Sequence, residues 1–266
     1  MKYIVFCLIA AGVCLAAGLF LTSLLGRKRH FSRIVRVLLT VVFTLIFLIA
    51  VAAGYLSRYS HAGKEALAAL SGSESVKVSE TSTGWYFDGP GEKSALIFYP
   101  GAKVEAAAYA PLLLQLAESG EDAFLIRMPC NMAIFGMNRA DSVMETYDYG
   151  SWYLAGHSMG GMTAALYTCS HPDAVDGLIL LAAYSTKELP DEVRLCSIYG
   201  SEDGCLDRKE YEQMEWPADS REIVIPGGNH AQFGDYGHQK GDGEALISAQ
   251  EQQEAAVRAM TEMIEE

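Results

Sequence analysis

Two uninterrupted apolar runs open the chain. Tyr3 to Leu25 and Val37 to Leu56 hold 23 and 20 residues without a Lys, Arg, His, Asp or Glu. Each would cross a hydrocarbon core of roughly 30 Å as a helix rising about 1.5 Å per residue. Core helices of that length carry a polar stripe, and neither run has one. A cleaved signal peptide fits the first run less well, because the run is long, only Lys2 precedes it, and a second run follows. Two membrane spans are therefore expected over 1–56. Residues 57–75 read as a short helix and linker that ends in the Ser/Gly/Glu cluster at 71–75.

From residue 76 the pattern shortens and alternates. VKV (76–78) and TGWYF (83–87) predict a hairpin, and SALIFYPG (94–101) predicts a buried strand ending in a Pro-Gly turn. Residues 104–119 have helical composition with Gly120 as the stop. Strands follow at 122–129, 152–157, 177–184, 193–200 and 221–228, with helices expected at about 138–147, from Met159 to Ser170 and at 244–265. Continuous apolar strands separated by helices predict an α/β domain over 76–266, a mostly parallel sheet covered on both faces. Sites in such sheets gather at the carboxyl ends of the strands.

Charge divides at the same boundary. Residues 1–56 carry six of the 20 basic residues and none of the 33 acids, leaving 14 against 33, a net of −19, for the rest. A domain so acidic lacks the basic surface that nucleic acid requires. The basic residues near the spans (Arg27, Lys28, Arg29, Arg33 and Arg36) lie in and beside the connecting loop, which the positive-inside rule keeps cytoplasmic. Both termini, and with them the large domain, are then expected on the extracytoplasmic side. The six cysteines show no metal-like spacing; Cys196 and Cys205 are close enough in sequence for a bridge in an exported domain, though small buried thiols are the commoner state.

The chemistry starts at YLAGHSMGGMTAAL (153–166), where Ser158 stands between a strand and a helix with Gly156 and Gly160 two residues away on either side. A serine hydroxyl acting as nucleophile must project from the sheet on a strained strand-to-helix turn, which leaves no room for β-carbons at those two positions. The bare pattern is a weak signal; its strand-before, helix-after setting strengthens it. Of the six histidines, His30 lies in the membrane loop, His61 in the linker, His157 is expected to turn away from the pocket, and His171 ends the following helix. His230, directly after the last strand, is the expected base, with His238 the weaker candidate. Asp203, after the preceding strand, would hold the imidazole, with Glu202 and Asp207 as neighbouring substitutes. Oxyanion donors are expected from the backbone N–H of Met159 and of Ala102 in YPGAK, with Lys103 in reserve.

The run from about 94 to 265 resembles the α/β-hydrolase superfamily. YPGAKVEAAAYAPLL, LAGHSMGG, GLILLAAYS, YGSEDG and GGNHAQFGDYG resemble a branch of small bacterial membrane-anchored α/β-hydrolase domains. The resemblance implies the same nucleophile, acid and base roles and leaves the substrate open. Two departures stand out. The HGGG-type oxyanion loop is replaced by PGAK, and the short interval between the strands ending near Tyr184 and starting near Val193 has no room for a helical lid. The glycines and aromatics of AQFGDYGHQKGDG would line the pocket or form a plain surface loop.

The expected function is a two-span membrane serine hydrolase cleaving an ester-like acyl bond of a small-molecule substrate, with thioester, amide and peptide bonds open to the same mechanism. No metal or organic cofactor is expected. A catalytically silent hydrolase-like domain that binds a ligand or partner at the membrane is the second reading, against which the intact Ser, Asp and His weigh. A transporter is a poor fit, since spans without internal charges offer no polar pathway.

Overall fold

The computed structural model describes residues 2–27, 31–91 and 93–266, the side chains of 2–6 excepted. Lys28 and Arg29 of the basic loop, with His30 and the side chain of Lys2, lie outside the described residues. The chain divides into two compact units, 1–58 and 59–266.

The first unit is a pair of helices, α1 (Lys2–Gly26) and α2 (Arg33–Leu56). They meet closely at Gly18, where an added β-carbon would stand 2.5 Å from Thr44 Oγ1 and 3.0 Å from the Thr40 carbonyl. Thr40 Oγ1 donates to Thr22 Oγ1 beside this point. Small residues and hydroxyls of this kind let apolar helices approach one another. The remaining surface is apolar and exposed, as at Leu8, Phe20 and Ile49. Cys7–Gly26 and Arg33–Leu56 are each long and apolar enough to cross a membrane.

The second unit is built on one eight-stranded sheet. Its strands are β1 (Lys77–Glu80), β2 (Gly84–Asp88), β3 (Ser94–Tyr99), β4 (Asp122–Ile126), β5 (Ser151–His157), β6 (Gly177–Leu181), β7 (Arg194–Gly200) and β8 (Ser220–Ile225). The order across the sheet is β1-β2-β4-β3-β5-β6-β7-β8. The β1–β2 hairpin and its pairing to β4 are antiparallel; from β4 through β8 every pairing is parallel. Every residue of β4 and β6 is buried, the mark of parallel strands covered on both faces. One face carries α3 (Lys64–Ala69), α4 (Ala110–Glu118) and α8 (Ala249–Glu265), burying Leu112, Leu113, Leu116, Ala256 and Met260. The other carries α5 (Arg139–Met144) and α6 (Met159–Ser170), burying Val143, Ala164, Ala165 and Tyr167.

The sequence expectations differ from this in boundaries, each for a local reason. The helix expected from 104 begins as a 3-10 turn at Ala106–Tyr109 and becomes α-helical only at Ala110, with Pro111 in its first turn. The helix expected from 244 starts at Ala249, where Ser248 and Glu251 form a reciprocal capping box. Residues 60–70, expected as linker, pack on the domain instead. Ser60 N–H donates to the Lys103 carbonyl at 2.8 Å and Glu105 N–H donates to the Ser60 carbonyl at 2.9 Å. Farther along, the Asp235 carboxylate accepts from Ala66 N–H at 2.9 Å in the first turn of α3.

Candidate active site

β5 ends at His157, and the next residue makes the turn. Ser158 has φ +53° and ψ −125°, a conformation that costs a non-glycine residue roughly 1–3 kcal/mol and persists only where the surroundings enforce it. They enforce it through close packing. A β-carbon on Gly156 would lie 2.4 Å from the Gly160 carbonyl carbon, and one on Gly160 would lie 2.0 Å from the Tyr99 carbonyl oxygen. Only hydrogen fits at both places. Ser158 therefore sits half-buried at the first turn of α6, where the helix dipole favours negative charge. Because Tyr99 is in register with Gly156, the Pro100–Lys103 loop leaves the sheet beside the same elbow.

The acid and base candidates come from the next strands along the sheet. Gly200 and Ile225 are in register at the ends of β7 and β8, and a β-carbon on Gly200 would lie 2.1 Å from the Gly228 carbonyl oxygen. The two loops thus touch. Across them Asp203 Oδ2 accepts from His230 Nδ1 at 2.9 Å, with the side chains 0% and 2% exposed respectively. Asp203 Oδ1 accepts from the N–H groups of Cys205 and Leu206, both at 2.8 Å, so the carboxylate cannot rotate freely. The neighbouring acids are engaged elsewhere: Glu202 accepts from Ser201 Oγ, and Asp207 caps the short helix α7 (Arg208–Glu212). Among the described residues nothing hydrogen-bonds His230 Nε2, Ser158 included. Such bonds are often long in unliganded sites and tighten with substrate.

His157 does not turn away from these groups. Its ring packs on that of His230, centroids 4.5 Å apart, and is 1% exposed. Burial, reinforced by the neighbouring His230 ring, holds the His157 imidazole well below the ordinary histidine range, while the His230 backbone carbonyl acts weakly in the opposite sense. Tyr109 Oη accepts from Gly101 N–H at 3.1 Å and lies 2.8 Å from His157 Nδ1. The phenol and the imidazole Nδ1 thus share one hydrogen bond, while His157 Nε2 is buried without a partner among the described residues. This buried chain ties the Pro100–Lys103 loop to the histidine pair. Nothing in the alanine-rich stretch around Tyr109 signalled it.

Around the expected oxyanion donors, the neighbouring N–H groups are already engaged. Gly101 N–H goes to Tyr109, and Lys103 N–H goes to the Asn131 carbonyl at 2.7 Å. The N–H groups of Ala102 and Met159 have no partner among the described hydrogen bonds. Residues 182–193, between β6 and β7, form no helix, so no lid covers the elbow from there. On the other flank the segment that follows β4 exposes Ile134 and Phe135, 45% and 59% accessible, next to the Asn131–Lys103 bond.

Phe233 and Tyr236, in the segment read as either pocket lining or a plain surface loop, are core residues packed on His157 and Tyr109. His238 is exposed. A cavity of about 730 Å³ lies behind the His230 loop, lined by Gln115, Gln232, Asp235 and Gln253 among others; neither Ser158 nor His230 borders it. Cys196 and Cys205 are both free, and burial pushes the Cys196 thiol up to about 12. Among the described residues no group of three or more His, Cys, Asp or Glu could hold a metal ion.

A family model described as the alpha/beta hydrolase family matches residues 95–254, more than half of the chain. The chain belongs to that family. A protein of Mycobacterium phage D29 named for non-heme haloperoxidases is 28% identical over 115 residues, which is 40% of this chain and 41% of the relative. Among solved structures, dienelactone hydrolase from Anabaena variabilis superposes with a TM-score of 0.53 at 13% identity, covering 72% of this chain and 98% of that one. A monoacylglycerol lipase from Paleococcus ferrophilus gives 0.51 at 14% identity, covering 70% and 99%. Mouse alpha/beta hydrolase domain-containing protein 10 gives 0.51 at 13%, covering 72% and 99%. At these identities the likeness is one of fold.

Proposed function

We propose that this hydrolase-family chain is a membrane-anchored serine hydrolase that cleaves an ester-like acyl bond. The observation that carries the reading is the buried 2.9 Å pair of Asp203 and His230, at the ends of strands two and three places along the sheet from a serine held at positive φ. In this reading Ser158 Oγ attacks the acyl carbon while His230 Nε2 takes its proton. Asp203 keeps the other proton on Nδ1 and stabilises the imidazolium. The N–H groups of Met159 and Ala102 receive the negative oxygen, a contribution of about 3–4 kcal/mol per donor in the transition state. His230 then protonates the leaving group, the acyl group remains on Ser158, and a water deprotonated by His230 releases the acid.

The exposed Ile134 and Phe135 give an apolar acyl group a surface beside the oxyanion loop, and the open flank over 182–193 accepts a substrate without lid opening. The two apolar helices serve as the anchor, and Arg27, Arg33 and Arg36 around their connection favour an extracytoplasmic catalytic domain. The test is fluorophosphonate labelling of the membrane-bound chain beside Ser158→Ala, with the adduct located by peptide mass. An adduct on Ser158, absent from the variant, is the expected result. A folded wild-type chain that takes no label would overturn the reading in favour of a silent, ligand-binding domain.

A further inference from the structure

The acid and base loops share a third partner that neither needs for its own fold. Residues 239–243 run past both of them. Asp242 Oδ1 accepts from Gly204 N–H at 3.1 Å and from His230 N–H at 3.1 Å, and Oδ2 accepts from Ala231 N–H at 2.8 Å. Oδ1 also takes the N–H of Gly243 at 2.9 Å, and Asn229 Nδ2 donates to the Gly243 carbonyl at 2.9 Å. Independent of these bonds, the three loops are in van der Waals contact with no space to spare. A β-carbon on Gly243 would lie 2.0 Å from the Glu202 carbonyl oxygen, and one on Gly204 would lie 2.6 Å from the Gly241 carbonyl oxygen.

One carboxylate thus binds the backbone of Gly204, immediately after Asp203, and the backbone of His230 itself, groups far apart in the chain. The Asp203–His230 bond joins only side-chain tips, and each tip is only as well placed as its loop. Misplacement of a reacting group by about 1 Å can cost roughly 10²-fold in rate. A side chain that fixes both main chains to one point removes that freedom.

We infer that Asp242 is a positioning residue that holds Asp203 and His230 in register; it touches no reacting atom. The inference rests on the reading of Ser158, His230 and Asp203 as the reacting set. Asp242→Ala removes all four acceptor contacts, while Asp242→Asn keeps Oδ1 and turns an N–H₂ toward Ala231 N–H. Two readouts on the full chain in detergent micelles test the idea. One is the rate constant of fluorophosphonate labelling at Ser158. The other is the downfield proton resonance of His230 Nδ1–H in its bond to Asp203, assigned by its loss in Asp203→Ala.

The expected result is labelling slowed about 100-fold in Asp242→Ala and about 10-fold in Asp242→Asn, with the downfield resonance broadened or lost and secondary structure intact. Wild-type labelling with the resonance in place in either folded variant overturns the inference. If the alanine variant does not fold, the asparagine variant decides alone. A wild-type chain that shows the resonance but takes no label defeats the serine-hydrolase reading, and the resonance in the variants still decides the role of Asp242.

Discussion

Folding seals the His157 imidazole away from water. Its ordinary value of 6.5 is depressed in the folded chain because the ring is sealed among Tyr109, Phe233 and His230, where a charge has no water. In the window below about 6.5 the unfolded chain therefore binds more protons than the folded one, and stability rises with pH. The contribution is fully present above the unfolded value and is lost as the pH falls, at about 1.4 kcal/mol per pH unit until the folded value is reached. For a domain of this size that corresponds to a Tm lower by roughly 3–6 °C per unit. Thermal melts of wild type and His157→Asn between pH 7 and 5 should show a shallower slope in the variant; equal slopes would remove His157 as the cause. The positions of Ser158, Asp203 and His230 just past the ends of strands were legible in the sequence, because each follows an apolar run that pairs in the sheet. Tyr109, His157 and Asp242 were not. Two of them accept from backbone N–H groups, Tyr109 from Gly101 and Asp242 from Gly204, His230 and Ala231, and no residue-type pattern marks such a contact. The choice between Ala102 and Lys103 was open for the same reason, since only the fold reveals which N–H is already spent on Asn131.

At the scale of elements the legible parts are those that depend on local pattern. α6 was expected at its observed bounds, and the core strands were recognised by apolar runs that pair in a parallel sheet. Where the sequence reading overshot, tertiary contacts trimmed the element. Leu181, not Tyr184, ends β6, as Ala182 takes φ +49° and its N–H donates to the Ile198 carbonyl of β7. The elbow shows how tightly elements interlock, because Gly160 of α6 lies directly on the end of β3. Gly160→Ala places a methyl 2.0 Å from a backbone oxygen, an obstacle that no rotamer change relieves. Overpacking of this kind costs about 1–3 kcal/mol. The expected outcome is a Tm lower by roughly 2–12 °C together with loss of fluorophosphonate labelling, because α6 can move off β3 only by carrying Ser158 with it. Full labelling of a stable Gly160→Ala chain would mean that the elbow tolerates a conformation other than the one described.

For the whole molecule the question is where the catalytic unit begins. Composition placed the boundary at the Ser/Gly/Glu cluster of 71–75, with 57–75 read as a short helix and linker. The compact unit starts instead at Tyr59. The segment from Ser60 to Ala66 clasps two loops at once. Through Lys103 and Glu105 it backs the Pro100–Lys103 loop, and through Asp235, which accepts from Gly63 N–H at 2.8 Å, it backs the chain that continues from His230. Asp235 N–H in turn donates to the Ala108 carbonyl at 2.7 Å, closing the connection between those loops. Composition could not show this, because the bonds run through main-chain groups and one remote aspartate. Two truncations separate the possibilities. A chain beginning at Tyr59 should leave the membrane fraction, fold and take label on Ser158 at a rate within a few-fold of the intact protein. A chain beginning at Val76 should lose α3 and the strap, and with them the bonds that Ser60, Gly63 and Ala66 make to the Lys103 carbonyl, the Glu105 N–H and Asp235. Its labelling should fall by about 10²-fold or more, as expected for loops displaced by an ångström, and its core should melt earlier because Ala66 and Ala69 no longer cover it. Equal labelling of the two truncated chains would return residues 59–75 to the status of a tether.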